Sequence, residues 1–480
     1  MDHSPGLSRV GCRDAMELTK TDRVHFIGVG GISMSGLAHA LAVQGFRVSG
    51  SDRSDSERLA VLRRAGVQVA VGHDAANVAA AEVVIWTTAI REDNPERAAA
   101  VAAGLRLHHR SELLAWMLRG KQAIAVTGTH GKTTMTAMLG TILVHAGCDP
   151  TVFVGGDVLA WGSNYRLGKG PHVVFEADES DGSFSRYRGC SQVISCLEPD
   201  HLDQHGTVER LEQVFAAFMA QAAPEGFLVW GRDCGRLAGL VAHSSAGHKI
   251  SCGLHPASEF RATNLAYDGL HTRFELLKGG GPPLPVHLAV PGQHNALNAL
   301  AAIAAAEASG VSLDRCIEAI ATFAGTGRRF ELLGTTDDLA VYDDYAHHPT
   351  EVRATLAAAR QQGYQRVVAI FQPHLYSRTR DLMTDFAAAF RDADVVVIAA
   401  IYAAREEPIP GVSAEELAWR IRGLEPGKSV HYAETKQEAL DFVLRLACAG
   451  DLILSIGAGD VREVGEALAS RLCKGELEAR

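Results

Sequence analysis

Seven residues carry the densest chemistry in the chain, Gly128-Thr-His-Gly-Lys-Thr-Thr134. Two glycines bracket a tight turn, which lets backbone N–H groups face an anion. Lys132 brings a point charge, and the Thr133 hydroxyl can reach a divalent cation. The apolar run ending at Thr127 reads as a strand and Lys132 onward as a helix, which adds the positive end of a helix dipole. The spacing departs from the usual G-x-x-x-x-G-K-[ST], because Val126 stands where the first glycine belongs. Gly128, Thr129, His130, Gly131, Lys132, Thr133 and Thr134 therefore predict a nucleoside-triphosphate cradle of an unusual, shorter subtype.

Two later stretches end an apolar strand on charged groups. His172-Val-Val-Phe-Glu176 runs into further acids at 178, 179 and 181, and Gln192–Leu197 leads through Glu198 and Asp200 to His201. Ligands gather at the carboxyl ends of parallel strands, so Thr127, Glu176 and His201 are expected to converge on the triphosphate. Mg²⁺ prefers oxygen and keeps several waters, so Glu176 with Thr133 would suffice, and His201 could bind through water. Composition alone equally allows a solvated acidic loop and a hydrogen-bonded core histidine. Asn295 and Asn298, one turn apart at the start of an alanine-rich helix, are either caps or amides that read a purine edge. Gly325-Thr-Gly-Arg-Arg-Phe-Glu331 reads as a linker carrying two arginines. Such an arginine either crosses a domain boundary to a phosphate or forms a surface ion pair.

The elements that must position these groups alternate strand and helix, which predicts parallel sheets covered on both faces. At 480 residues, two to four domains are expected. Residues 1–20 read as a loose arm. Over 20–120, Gly28, Gly30 and Gly31 follow a strand, and Asp52 ends the next one where a ribose-binding acid would lie. Ser33 takes the place of the third fingerprint glycine, so the turn either holds a nucleotide diphosphate or serves only strand–helix packing. Residues 121–327 carry the cradle, turns at Gly155-Gly-Asp157 and Gly168-Lys-Gly-Pro171, and a β-rich appendage. That appendage contains a hairpin flanking Gly279-Gly-Gly-Pro-Pro283. Residues 328–480 form a further α/β sheet, with strands at Val395–Ala399 and Asp451–Ile456.

Composition narrows the class. A net charge of −10 argues against a nucleic-acid surface. Nine cysteines without a C-x-x-C pair suit a reducing compartment better than disulfides or zinc. No apolar core follows Met1, and the longest apolar run, Val395–Ala404, is too short for a bilayer. A cytoplasmic protein is expected, with partners that are neither nucleic acid nor membrane.

Taken in order, the motifs resemble one family, the Mur ligases of peptidoglycan synthesis. The matching pieces begin with His25-Phe-Ile-Gly-Val-Gly-Gly31, the 128–134 cradle, Glu176-Ala-Asp-Glu-Ser-Asp181, Asp200-His-Leu-Asp203 and Pro291-Gly-Gln-His-Asn-Ala-Leu-Asn-Ala299. They continue with Thr326-Gly-Arg-Arg-Phe330, Asp343-Asp-Tyr-Ala-His-His-Pro-Thr-Glu351, Phe371-Gln-Pro-His-Leu-Tyr-Ser-Arg-Thr-Arg380 and Glu406-Glu-Pro-Ile-Pro-Gly411. Within the family the pattern is similar to members that join L-alanine to UDP-N-acetylmuramate. The resemblance implies three domains: a Rossmann-like one for the UDP sugar, a central P-loop-type ATPase, and a Rossmann-like one for the amino acid. ATP and Mg²⁺ would be the cofactors, and the protein a monomer or homodimer. It implies an acyl phosphate attacked by the amine of L-alanine.

By the same resemblance Lys132 and its loop hold phosphates, while Thr133, Glu176 and His201 hold metal. Asn295 and Asn298 lie near adenine, and Arg329 and Asp344 complete the nucleotide site. Tyr345, His347, His374 and Arg378 surround L-alanine and the reacting carboxyl. Gly28, Gly30, Gly31, Asp52, His73 and Thr88 contact UDP. Four positions depart from the family pattern: Ser33 and Ala346 replace glycines, Cys196 an asparagine and Leu375 an arginine. The rival within the family is a ligase that recycles a tripeptide onto the same sugar nucleotide, against which Glu179-Ser-Asp181 and Tyr345 speak. Outside the family, an NAD-dependent dehydrogenase leaves Lys132 unexplained, and a GTPase lacks an Asn-Lys pair.

Overall fold

The computed structural model describes residues 16–180, 182–336 and 338–474. They form two compact units, one ending at Lys121 and one beginning at Gln122. The expected loose arm lies outside the described residues up to 15. Residues 16–20 are tied down, because the Met16 carbonyl accepts from Arg119 and Lys20 sits 3.9 Å from the Phe46 ring centroid.

The first unit is a five-stranded parallel sheet in the spatial order Gln68–Val71, Arg47–Asp52, Arg23–Ile27, Val83–Trp86, Arg106–His109. Its central strands are covered on both faces and read as nearly continuous apolar runs, with Val24, Phe26, Ile27 and Val83–Ile85 buried. The strand order reverses beside Arg23–Ile27, so the crevice at its carboxyl end opens at Gly28. Gly28 has φ +78°, which a side chain would strain, and it swings the chain into the Ile32–Val43 helix.

The second unit holds two sheets. The larger has ten strands, and its parallel centre sets Ser191–Ile194, Gln122–Thr127 and His172–Glu176 side by side. This register brings three carboxyl ends to one edge. The helices Lys132–His145 and Gln293–Ala308 pack on it through Met135, Met138, Leu139 and Ile142 against Ala296, Ala299 and Ile303. Small alanines let the two helices approach closely. Antiparallel additions flank the centre, including His271–Lys278 paired with Leu284–Leu288 across the Gly279–Pro283 loop. The sequence missed Phe260–Asp268, the third strand of this appendage. Its inward Phe260 and Ala262 alternate with polar groups, and Asn264, at φ +53°, interrupts the pattern.

Gly155-Gly-Asp157 is no turn but part of the Thr151–Val158 strand. The missing Cβ of Gly155 has a packing cause, since an added one would collide with the Glu176 carboxylate.

The smaller sheet runs Glu331–Thr335, Ala340–Asp344, Asp451–Ile456, Arg366–Phe371, Val395–Ala399, Ser429–Ala433, parallel except for its first strand. The chain passes between the sheets over one peptide. Gly327 N–H donates to the Asp157 carbonyl in the larger sheet, and the Arg328 carbonyl accepts from Tyr345 N–H beside the smaller. Among the described residues no helix is long and apolar enough to cross a membrane.

Candidate active site

The cradle is built by two glycines at which any side chain would be strained. Gly128 and Gly131 have φ +126° and +81°, and a Cβ would strike Ser195 at the first and Asn298 at the second. Gly131 thereby caps the Lys132–His145 helix, whose first N–H groups stay free for an anion. Thr133 Oγ1 donates to Glu176 Oε2 at 2.9 Å, and Gly155 N–H donates to the same oxygen at 2.8 Å. The expected hydroxyl–carboxylate pair is therefore formed. Oxygen donors in contact with each other suit a hard cation such as Mg²⁺.

Lys132 is not free. Its Nζ donates to Glu179 Oε1 at 2.8 Å and Oε2 at 3.0 Å, and to the Gly128 carbonyl at 2.8 Å. Burial opposes the charge, but Glu179, Asp178 and Glu176 outweigh it and hold Lys132 protonated well above its ordinary range. His201 has a left-handed backbone at φ +53°. It offers a ligand atom within 4.8 Å of those of Asp178 and Glu179, and burial keeps it below its usual pKa. Asp181, the last acid of this run, lies outside the described residues.

Beside the cradle opens a cavity of 340 Å³. The larger sheet's layer contributes Gly131, Asn295 and Asn298, and the other half of the unit contributes Arg329, Asp344 and Glu351. The two asparagines are buried within the helix, which is capped by Gly292, so the capping alternative is excluded. Asn295 Nδ2 donates to the Pro291 carbonyl at 2.7 Å and Asn298 Nδ2 to Asn295 Oδ1 at 3.4 Å. Arg329 lies 3.9 Å from Glu351. Asp344 accepts from Phe330 and Ala346 N–H, each at 2.8 Å. Burial still pushes its carboxyl up to about 6 against the pull of Arg329. Cys196, one of the departures, lines this cavity.

The four residues expected around an amino acid also gather. Tyr345 lies under Arg329, and its carbonyl is 3.0 Å from His347 Nδ1. The His347 and His374 rings are 6.2 Å apart, and His374 Nδ1 is 3.4 Å from Arg378. Burial pushes His347 down to about 3 and, with the Arg378 charge, His374 to about 4, so both rings are neutral. Arg378 donates from Nε and Nη2 to Asp200 Oδ1, both at 3.0 Å, and both partners are buried. Leu375, another departure, is buried at φ +71° ahead of the Tyr376–Asp381 helix. Ala346 is fully buried.

In the first unit the glycine turn and Asp52 meet, since Gly30 N–H donates to Asp52 Oδ2 at 2.9 Å. His73 Nδ1 is 3.1 Å from Ser51 Oγ and 3.4 Å from Glu96. Thr88 is exposed just past the Val83–Trp86 strand, and Ser33 is exposed in the first turn of its helix. Glu96 was not foreseen. Fully buried, it also accepts from Asn77 at 2.6 Å and lies 3.5 Å from His25. Glu179, Glu198, Asp200 and Glu351 escaped residue-level assignment as well. Each is an acid in a stretch rich in candidate residues, and only the fold reveals which cation it meets.

Three family profiles match the chain: "Mur ligase family, catalytic domain" over residues 23–122, "Mur ligase middle domain" over 126–306, and "Mur ligase, glutamate ligase domain" over 328–459. The UDP-N-acetylmuramate–L-alanine ligase of Symbiobacterium thermophilum is 46% identical over 462 residues, 95% of each chain. That of Geobacter sp. strain M21 is 43% identical, covering 94% of this chain and 98% of its own. Among solved structures, the UDP-N-acetylmuramate–alanine ligase of Thermotoga maritima superposes with a TM-score of 0.80 at 30% identity, over 95% of this chain and 100% of that one. A murein peptide ligase from Psychrobacter arcticus gives 0.70 at 26%, over 94% and 98%.

Proposed function

The chain belongs to the Mur ligase family, and from that premise we infer that it is an ATP-dependent ligase joining L-alanine to the lactoyl carboxylate of UDP-N-acetylmuramate in peptidoglycan precursor synthesis. The observation that carries this reading is the cradle: Lys132 and the Thr133–Glu176 pair open beside a nucleotide-sized cavity lined from both halves of the second unit. Residues 20–120 take the UDP sugar, 121–327 ATP, and 328–480 the amino acid.

A carboxylate attacking a γ-phosphate meets like-charge repulsion, so positioning and positive charge dominate the catalysis. Lys132 turns from Glu179 to the phosphates, and the loop amides hold them in line. Thr133, Glu176 and His201 would hold Mg²⁺, which would supply charge neutralisation on the phosphate oxygens. Arg329 and Asp344 close the nucleotide site, and Asn295 and Asn298 border the base. The acyl phosphate then meets the amine of L-alanine, whose carboxylate Arg378 receives. His347 donates its Nδ1–H to the Tyr345 carbonyl, which leaves the neutral ring's Nε2 to accept a hydrogen bond from the attacking amine and orient it. The tetrahedral intermediate collapses to amide and phosphate, with ADP as the other product. In the first unit Gly28, Gly30, Gly31, Asp52, His73 and Thr88 hold UDP.

The enzyme acts as a monomer or homodimer in the cytoplasm. Free thiols at every described cysteine support a reducing compartment. Phosphate release with UDP-N-acetylmuramate, ATP, Mg²⁺ and a panel of amino acids tests the reading. L-Ala-γ-D-Glu-meso-diaminopimelate serves as the competing substrate, and turnover with that tripeptide alone would overturn it.

A further inference from the structure

One cluster of side chains carrying metal-ligating atoms has no assigned role in the reaction, although the His130 backbone belongs to the phosphate loop. His130 of the cradle loop, Glu198 and His348 each present a ligand atom within 4.8 Å of the other two. His130 Nε2 is 3.3 Å and His348 Nδ1 3.8 Å from the same oxygen, Glu198 Oε2. The two imidazole centroids are 4.7 Å apart.

The surrounding contacts are those that orient ligands. His130 donates from Nδ1 to Glu351 Oε1 at 3.2 Å and from Nε2 to Glu198 Oε2 at 3.3 Å, so the ring is held on both sides and an entering cation takes the place of the Nε2 proton. His348 Nε2–H donates to the Pro199 carbonyl at 3.4 Å, which turns Nδ1 inward. Thr350 Oγ1 donates to Glu198 Oε2 at 2.7 Å and fixes the carboxylate. Both histidines thus have the outer partner that metal-bound imidazoles use to set tautomer and ring angle. At His348 the competing bond is weak, a 3.3 Å contact from Thr350 N–H to Nδ1. His130, Glu198 and Glu351 line the 340 Å³ cavity, so a cation can enter and keep a water as its fourth ligand.

The geometry points to a second cation site, His130–Glu198–His348, that takes a zinc-class divalent ion and clasps the cradle loop to the Pro349–Arg360 helix. Two imidazoles and one carboxylate are a borderline donor set that suits Zn²⁺, whereas the oxygen pair Thr133–Glu176 suits Mg²⁺. The loop and the helix belong to different halves of the second unit, so an ion shared between them holds the cavity shut. On the reading of that cavity as the ATP site, which this consequence rests on, Zn²⁺ inhibits ligation in the presence of saturating Mg²⁺.

The test measures binding directly, so its failure leaves the ligase reading untouched. Nucleotide-free full-length protein is titrated with Zn²⁺ in equilibrium dialysis, and with Co²⁺ for the visible absorption of a four-coordinate ion. His348→Asn keeps a cap acceptor for the helix but removes the imidazole, and is expected to lose about 100-fold or more in Zn²⁺ affinity while ligating with Mg²⁺ as wild type does. Glu351→Gln, which weakens the outer contact to His130 Nδ1, is expected to lose about 10–100-fold. Glu176→Gln and Cys196→Ser should retain the ion; Cys196 controls for a sulfur ligand. Circular dichroism verifies that each variant folds, and Glu198→Ala replaces His348→Asn if that one does not. Wild-type affinity in the His348 and Glu198 variants, loss of the ion in Glu176→Gln or Cys196→Ser, or a six-coordinate Co²⁺ spectrum would each overturn the site.

Discussion

Lys132 and Glu96 show how much a single buried charge can govern. Lys132 must leave a carboxylate before it meets a phosphate, so the cradle starts neutralised rather than bare. On the proposed mechanism Lys132→Ala should cost on the order of 10³-fold or more in kcat/KM. UDP-sugar binding followed by calorimetry should be nearly unchanged, because it is assigned to the first unit. Glu96 offers a pH-dependent counterpart. Burial raises its pKa, yet hydrogen bonds involving His25, Asn77 and Ser51 win and bring it from 4.5 down to about 2. A depressed carboxylate stabilises the fold above its unfolded value, and that contribution fades as pH falls from 4.5 through about 2. Glu96→Gln should therefore lower stability by about 3 kcal/mol at neutral pH, with the gap to wild type narrowing in acid denaturation curves. The residue types at Lys132, Glu176 and His201 were legible because each follows an apolar strand. Glu179 and Glu96 were not, because the cations and donors they meet come from elements distant in the chain.

At the scale of elements, the turn chemistry is strict. Gly128→Ala combines a left-handed backbone with a collision against Ser195 and should cost about 2–4 kcal/mol, read as a shift of the urea midpoint. The Pro349–Arg360 helix begins at a histidine cap, with Glu351 returning to the backbone of His348. His348→Ala should lose about 1 kcal/mol that His348→Asn largely keeps. Strand–helix alternation made the parallel sheets readable, and the Val395–Ala399 and Asp451–Ile456 strands lie where the apolar runs put them. Gly155 misled the reading, because a glycine that makes room for a carboxylate looks in sequence like one that turns the chain.

At the scale of the whole molecule, the two units are expected to answer separate ligands. Calorimetry on the full chain should show one transition raised by UDP-N-acetylmuramate and another by ATP, each by about 2.7 kcal/mol at a hundredfold excess over Kd. A single transition moved equally by both would contradict that division. Within the second unit, the passage between sheets is pinned on either side of the Gly327–Arg328 peptide, so any rotation of one sheet against the other is confined there. The Asp200–Arg378 pair then acquires a further meaning. The guanidinium proposed to receive L-alanine is filled by the protein's own carboxylate, so amino-acid binding is an anion exchange and not the filling of an empty hole. L-Alaninamide matches the amine and methyl of L-alanine but has no carboxylate to take the place of Asp200. It should fail as a competitive inhibitor, and should gain affinity in Asp200→Asn, where the seat is no longer held by an ion.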